Sequence, residues 1–151
     1  MSSAISGIDG VKAMAGKEWG VGDWLEITQE RIDTFADATE DHQWIHVDPE
    51  RAKDGPFGKT IAHGFLTLSL TVYLSRGANL LDGFRMGINY GLNRVRFPSP
   101  VPVGSRIRAR TRNISVEDVP GGVQVVNEVT VEIEGQEKPA CVAEQVTRLY
   151  V

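Results

Sequence analysis

Apolar and polar positions follow two different periods along the chain. From Gly58 to Ala78 the pattern is helical, and over its centre, Phe65 to Leu74, apolar residues occupy nearly every side, interrupted only by the small hydroxyls Thr67, Ser69 and Thr71. A helix with no polar face predicts a buried helix, and its hydroxyls can bond back to carbonyls one turn earlier. The stretch is shorter than the ~20 residues of a bilayer span and is flanked by Lys59, His63 and Arg76, so it reads as a core helix. Beyond Arg85 the period falls to two. Met86 to Phe97 predicts a strand stopped by Pro98, and Arg106 to Ser115 alternates Ile107, Ala109, Thr111 and Asn113 with Arg108, Arg110 and Arg112. Val123 to Ile133 alternates again through Val125, Asn127, Val129 and Val131, Ala140 to Tyr150 makes a last strand, and Glu117 to Gly122 reads as a hairpin loop.

The first third is less regular. Ile5 to Met14 predicts a short leading helix, Gly16, Gly20 and Gly22 predict loop rather than a regular element, and Asp23 to Ile27 alternates like a strand. Thr28 is placed to cap a helix running to about Thr39 with Ile32, Phe35 and Ala36 on one face. Asp48 and Pro49 open a second short helix, PERAKDG, which Gly55-Pro56 closes. Asp41 then falls just past one helix end, and His46 in the connection between the two. One long apolar helix followed by long antiparallel strands predicts an α+β fold with the sheet curled around the helix, because a flat sheet covers only one side of it.

With 151 residues, the chain is expected to form one domain, residues 1–16 being an N-terminal extension. A net charge of −4 offers no basic footprint for nucleic acid. The single cysteine, Cys141, excludes an internal disulfide, and Met1 to Ile5 lacks the basic and apolar character of a signal peptide, so a cytoplasmic setting is expected. The arginines at 106, 108, 110 and 112 could meet phosphates, but alternation on a solvent face points instead to guarding a sheet edge against pairing.

Candidate chemistry concentrates in Phe35 to Ala52, FADATEDHQWIHVDPERA, where Asp41 and His46 stand five positions apart around Trp44-Ile45. Histidine starts near pKa ~6.5, so a carboxylate and an imidazole this close can share a water and move its protons near neutral pH. The alternative is a surface ion pair. His42, His46 and His63 with Asp41 and Asp48 superficially resemble a ligand set, but no Glu follows the zincin pattern and the acid is adjacent to His42, so no metal or other cofactor is expected.

Phe35, Asp41, Ile45, His46 and Ala52 match the hydratase motif of the MaoC-like dehydratases, and the chain resembles that family over nearly its whole length, in the branch that includes nodulation protein N. Glu40, Gln43 and Trp44 stand where Gly, Asn and Pro are usual; Glu40 is read as solvated and turned away. The resemblance implies a hot-dog fold and (R)-specific hydration of 2-enoyl thioesters to 3-hydroxyacyl thioesters, or the reverse dehydration. Asp41 and His46 would activate water, and the backbone N–H of Gly64, at the dipole-positive start of the long helix, would bind the thioester oxygen. Ile61, Ala62 and His63 would complete that segment, His63 as a buried, hydrogen-bonded residue beside the substrate path. Gly87, Ile88, Asn89 and Tyr90 with the turn Pro98, Ser99 and Pro100 would line a tunnel for coenzyme A or acyl carrier protein at a homodimer interface. A hot-dog thioesterase would place a carboxylate on the central helix, where Leu66 to Ser75 has none. A non-catalytic acyl-thioester-binding subunit would lack the Asp/His pair.

Overall fold

A computed structural model describes residues 3–76 and 79–151; Met1, Ser2, Gly77 and Ala78, the ends of the leading segment and of the long apolar segment, lie outside the described residues. The elements run β1 (Ser3–Ser6), α1 (Gly7–Ala13), β2 (Glu18–Val21), β3 (Leu25–Glu26), α2 (Gln29–Thr39), α3 (Trp44–Val47), α4 (Pro49–Ala52), α5 (Gly64–Arg76), β4 (Asn79–Asp82), β5 (Met86–Arg96), β6 (Arg106–Val119), β7 (Gly122–Ile133) and β8 (Cys141–Tyr150). The principal sheet is antiparallel in the order β2-β6-β7-β8-β5, with β3 also paired to β6. Helix α5 lies against it, the helix-on-sheet arrangement expected of a hot-dog fold.

Alternation explains which face of the sheet meets the helix. Ile107, Ala109, Val129, Val131 and Ala143 point inward and form one buried cluster with Leu66 and Leu74 of α5 and Ile32 of α2. Each valine, leucine or isoleucine among them contributes about 1.5–3 kcal/mol when fully buried. Thr111 and Asn113 continue the inward row of β6. The Ser69 and Thr71 hydroxyls donate to the carbonyls of Phe65 and Leu68, as the sequence suggests.

Several expectations need correction. Helix α5 is not enclosed: Leu66, Thr67, Thr71 and Leu74 are buried, whereas Phe65 is 69% and Tyr73 61% exposed. Its uniformly apolar surface meets the sheet on one side and, among the described residues, is left largely uncovered at Phe65, Val72 and Tyr73 on the other. The glycine-spaced segment is not all loop, because Glu18–Val21 pairs with β6 across a bulge at Trp19. The leading segment begins as a strand, with β1 parallel to β4, a pairing that short-range pattern does not reveal. Strands β6 and β7 extend further than predicted and narrow their connection to Pro120-Gly121. The arginines guard no edge, since β6 is paired on both sides. Arg106 pairs with Glu134, Arg108 and Arg110 with Glu132, and Arg110 also with Glu18, which are cross-strand ion pairs.

Candidate functional site

Helix α2 begins as its sequence predicts, with the Thr28 hydroxyl accepting from the Arg31 N–H, and it buries Ile32 and Ala36. It ends at Glu40, which takes a left-handed conformation at φ 63°. Glycine enters that region freely, and a glutamate held there costs of order 1 kcal/mol or more. The exposed Glu40 side chain leaves Asp41 at the start of the next segment. His46 sits in the one-turn helix α3, not in open connection as expected from sequence, because Trp44 anchors the turn: its ring lies beneath the Arg51 guanidinium and against Gly55, where a Cβ would come within 2.9 Å of it. Asp48 caps α4 through the Arg51 N–H, ending the segment as predicted although α4 stops at Ala52.

A short segment, Thr60 to His63, brings α3 to the tip of α5. The Ile61 N–H donates to the Ile45 carbonyl at 3.0 Å, and the Ile61 carbonyl accepts from His46 Nδ1 at 2.7 Å. On the other side, Ala62 donates to Val101 and Val103 donates to Thr60. Since a carbonyl only accepts, His46 carries its proton on Nδ1, leaving Nε2 as an acceptor. Gln29, which sequence reasoning missed, fastens the arrangement: its amide N–H donates to the His46 carbonyl at 2.8 Å and its amide oxygen accepts from the Thr60 hydroxyl. A glutamine in a first helical turn carries no sequence signal for such a role.

His63 is buried, and its Nε2–H donates to the backbone carbonyl of Asp41 at 2.9 Å. Its ring stacks on His46 and contacts Phe35 at 4.9 Å between centroids. Its Nδ1 has no hydrogen-bond partner, an acceptor shielded from water. One donor atom each from Asp41, His46 and His63 falls within 4.8 Å of the others. This spacing admits a water between carboxylate and imidazole. Shared metal coordination fits poorly, because lone pairs lie in the ring planes and two nearly parallel stacked rings do not converge on one point about 2.1 Å away. His42 is outside the cluster, bound to Asp37 at 2.9 Å, a contact that raises its pKa above the ordinary 6.5. Burial lowers the His46 pKa below 6.5; the Ile61 carbonyl opposes that shift, His63 reinforces it and Asp41 opposes it.

Gly64 opens α5 beside this cluster, and a Cβ there would lie 3.2 Å from the Phe97 ring. The first N–H groups of a helix lack intrahelical partners and carry the positive end of its dipole. A groove along α5 and β5, which runs the opposite way, begins one turn beyond this tip and is lined by neither Gly64 nor the Asp41–His46–His63 cluster: Leu68 shares a cavity of about 320 Å³ with Gly91 and Leu92, and Ser75 shares one of about 350 Å³ with Gly87. Of the strand residues selected from sequence, Gly87 and Asn89 face the groove. Ile88 and Tyr90 are exposed and absent from its lining, and Tyr90 lies under the Arg148 guanidinium. Pro98, Ser99 and Pro100 carry the chain from Phe97 to Val101, past the Gly64 tip.

The family model described as "MaoC like domain" matches residues 11–135. The chain belongs to the MaoC-like dehydratase family. It is 58% identical over 137 residues to 3-hydroxyacyl-thioester dehydratase Z of Mycobacterium tuberculosis, covering 90% of this chain and 91% of that protein. It is 50% identical over 141 residues to nodulation protein N of Rhizobium leguminosarum bv. viciae, covering 91% and 87%. The solved structure of a monoamine oxidase regulatory protein from Archaeoglobus superposes with a TM-score of 0.80 at 24% identity, covering 100% of this chain and 99% of that one. This MaoC-like enzyme therefore has the fold anticipated from its helix and strands. No helix among the described residues is long and apolar enough to cross a membrane.

Proposed function

We propose that this protein interconverts 2-enoyl and (R)-3-hydroxyacyl thioesters by adding or removing water at Asp41 and His46. The observation that carries the reading is the state of the pair. Carboxylate oxygens such as those of Asp41 accept, His46 Nε2 accepts, and a water between them can donate one O–H to each. Its oxygen lone pair is then free to attack C3. His46 takes one water proton as the C3–O bond forms, and the C2=C3 electrons move through C2 onto the thioester carbonyl as an enolate. The Gly64 N–H at the α5 tip stabilises that oxygen, and collapse of the enolate takes the proton from His46 back onto C2, so that H and OH are added in balance. Dehydration runs the same steps backward. His63 holds the Asp41 backbone, Ile61 orients the His46 ring and Ala62 ties the segment to Val101.

The thioester's acyl part lies in the α5/β5 groove, and its carrier, coenzyme A or acyl carrier protein, extends past Pro98, Ser99 and Pro100. The whole chain acts as one hot-dog domain and works as a homodimer without a cofactor. Support for the dimer comes from β5, whose outer edge is unpaired among the described residues and which exposes Met86, Ile88, Tyr90 and Leu92, and from α5, which exposes Phe65, Val72 and Tyr73. Long apolar edges pair with another strand or aggregate, and a second β5 across a two-fold axis satisfies both copies. The absence of any carboxylate along Gly64–Arg76 weighs against a thioesterase, and the intact Asp/His pair against a non-catalytic subunit.

Incubation with crotonyl-CoA tests this directly. Loss of enoyl absorbance with formation of (R)-3-hydroxybutyryl-CoA is expected; release of free coenzyme A, or no turnover, overturns the proposal.

A further inference from the structure

Two carboxamides stand opposite each other on the inner surface of the sheet, and the groove passes over them. Asn127 of β7 and Gln145 of β8 are directly opposite in register, and both line the cavity that runs from Thr71 to Ser75 of α5. Directly opposed residues have Cβ atoms about 4.5–5.5 Å apart. Thr111 and Thr147 add hydroxyls to the same wall.

The neighbouring bonds fix which way each amide points. The Gly16 N–H can only donate, so the atom it meets on Asn113 is Oδ1; Asn113 Nδ2 therefore donates to Asn127 at 2.9 Å, which identifies that atom as Oδ1 and leaves the Nδ2–H of this cavity-lining residue without a partner among the described residues. On the opposite strand, the Thr71 hydroxyl donates to the Leu68 carbonyl, so its oxygen must accept. Gln145 Nε2 donates to it at 2.6 Å, leaving Gln145 Oε1 without a partner among the described residues. The cavity thus presents one unused donor and one unused acceptor side by side. Neither is among the buried unpaired atoms, and both belong to residues that line the groove.

We infer that Asn127 and Gln145 recognise a hydroxyl on the acyl chain, which donates to Gln145 Oε1 and accepts from Asn127 Nδ2–H, so that the enzyme prefers hydroxylated acyl groups over plain alkyl ones. This rests on the hydratase reading above, which sets the thioester at Gly64. Thr71 is seven residues along α5 from Gly64, about 10 Å at 1.5 Å per residue. Three extended single bonds advance ~3.5 Å, so a hydroxyl ending an eight-carbon chain reaches that level. A plain methyl arriving there would strip water from both amides without replacing it.

The test compares hydration of trans-2-octenoyl-CoA with that of its 8-hydroxy derivative. The hydroxylated substrate is expected to have a kcat/KM about ten-fold or more higher, since sites built to bond a hydroxyl reject its absence strongly. In Gln145→Leu, and independently in the gentler Gln145→Met, the ratio should fall to near one. Equal hydration of both substrates by the unaltered enzyme, or a ratio that survives both substitutions, overturns the inference while leaving the hydratase reading intact. A Gln145 variant that lowers both rates equally would mean that the pair grips an amide of the carrier arm, which also overturns it. Failure to hydrate either substrate would defeat the underlying reading and this inference together.

Discussion

The imidazoles of His46 and His63 lie face to face, their centroids 3.8 Å apart and their planes 22° from parallel. A proton added to His46 would place charge in a buried ring pressed against another imidazole. His63 thereby helps keep His46 neutral, with Nε2 available as an acceptor.

Replacing His63 with Gln should move the acid limb of the kcat/KM profile to higher pH, since the influence of His63 on His46 is downward. Activity should drop about ten-fold as Asp41 loses part of its backbone anchor. Rates measured from pH 5 to 8 would decide the point: reduced activity with an unmoved acid limb reduces His63 to packing.

Removing either member of the pair, by Asp41→Asn or His46→Gln, should lower kcat by about 10² to 10⁴-fold, the usual worth of a general acid or base. Circular dichroism and thermal melting should remain close to those of the unaltered protein for Asp41→Asn, whose side chain is exposed. Appreciable turnover in a folded Asp41→Asn protein would remove the pair from the mechanism.

Stability should also report on His46. Its folded pKa is below 6.5, so the unfolded chain binds the proton more readily; stability is complete above 6.5 and declines as pH falls through the folded value. His42 has the opposite sign: its pairing with Asp37 contributes below 6.5 and fades as pH rises through its raised pKa. Melting curves of His42→Ala should therefore isolate a stability that falls as the pH is lowered below 6.5. A further His46→Gln change should flatten that slope; if it persists, another group is responsible.

Gly64→Ala places a methyl 3.2 Å from the Phe97 ring, beside the proposed thioester path. A fall in kcat/KM of about ten- to a hundred-fold is expected, because displacement of reacting groups by a fraction of an ångström to 1 Å is costly. Adding Phe97→Leu relieves the ring contact and should restore melting temperature but not turnover. Recovery of full activity in the double variant would show that Gly64 serves only helix-to-strand packing.

Ile88→Lys together with Tyr73→Lys should split the proposed dimer by placing charges on the exposed faces of β5 and α5, as sedimentation would register. An unchanged mass, monomeric or dimeric, in both proteins would locate the assembly surface elsewhere.

Local pattern was sufficient for the long helix, the inward rows of β6 and β7, the Thr28 and Asp48 caps and the placing of Asp41 past the end of α2, because burial period and capping chemistry act within a few residues. Motif likeness also singled out His46 and Gly64. Contacts between distant segments were legible in no window: the Ile61 carbonyl that sets the His46 tautomer, Gln29 joining α2 to α3 and Thr60, the His46–His63 stack and the Asn127–Gln145 pair. The same limit made α5 look enclosed, since an apolar side chain has the same identity whether its neighbour is its own sheet or a surface left open. Hydrophobicity says that a face should leave water, and only chain packing decides what it meets.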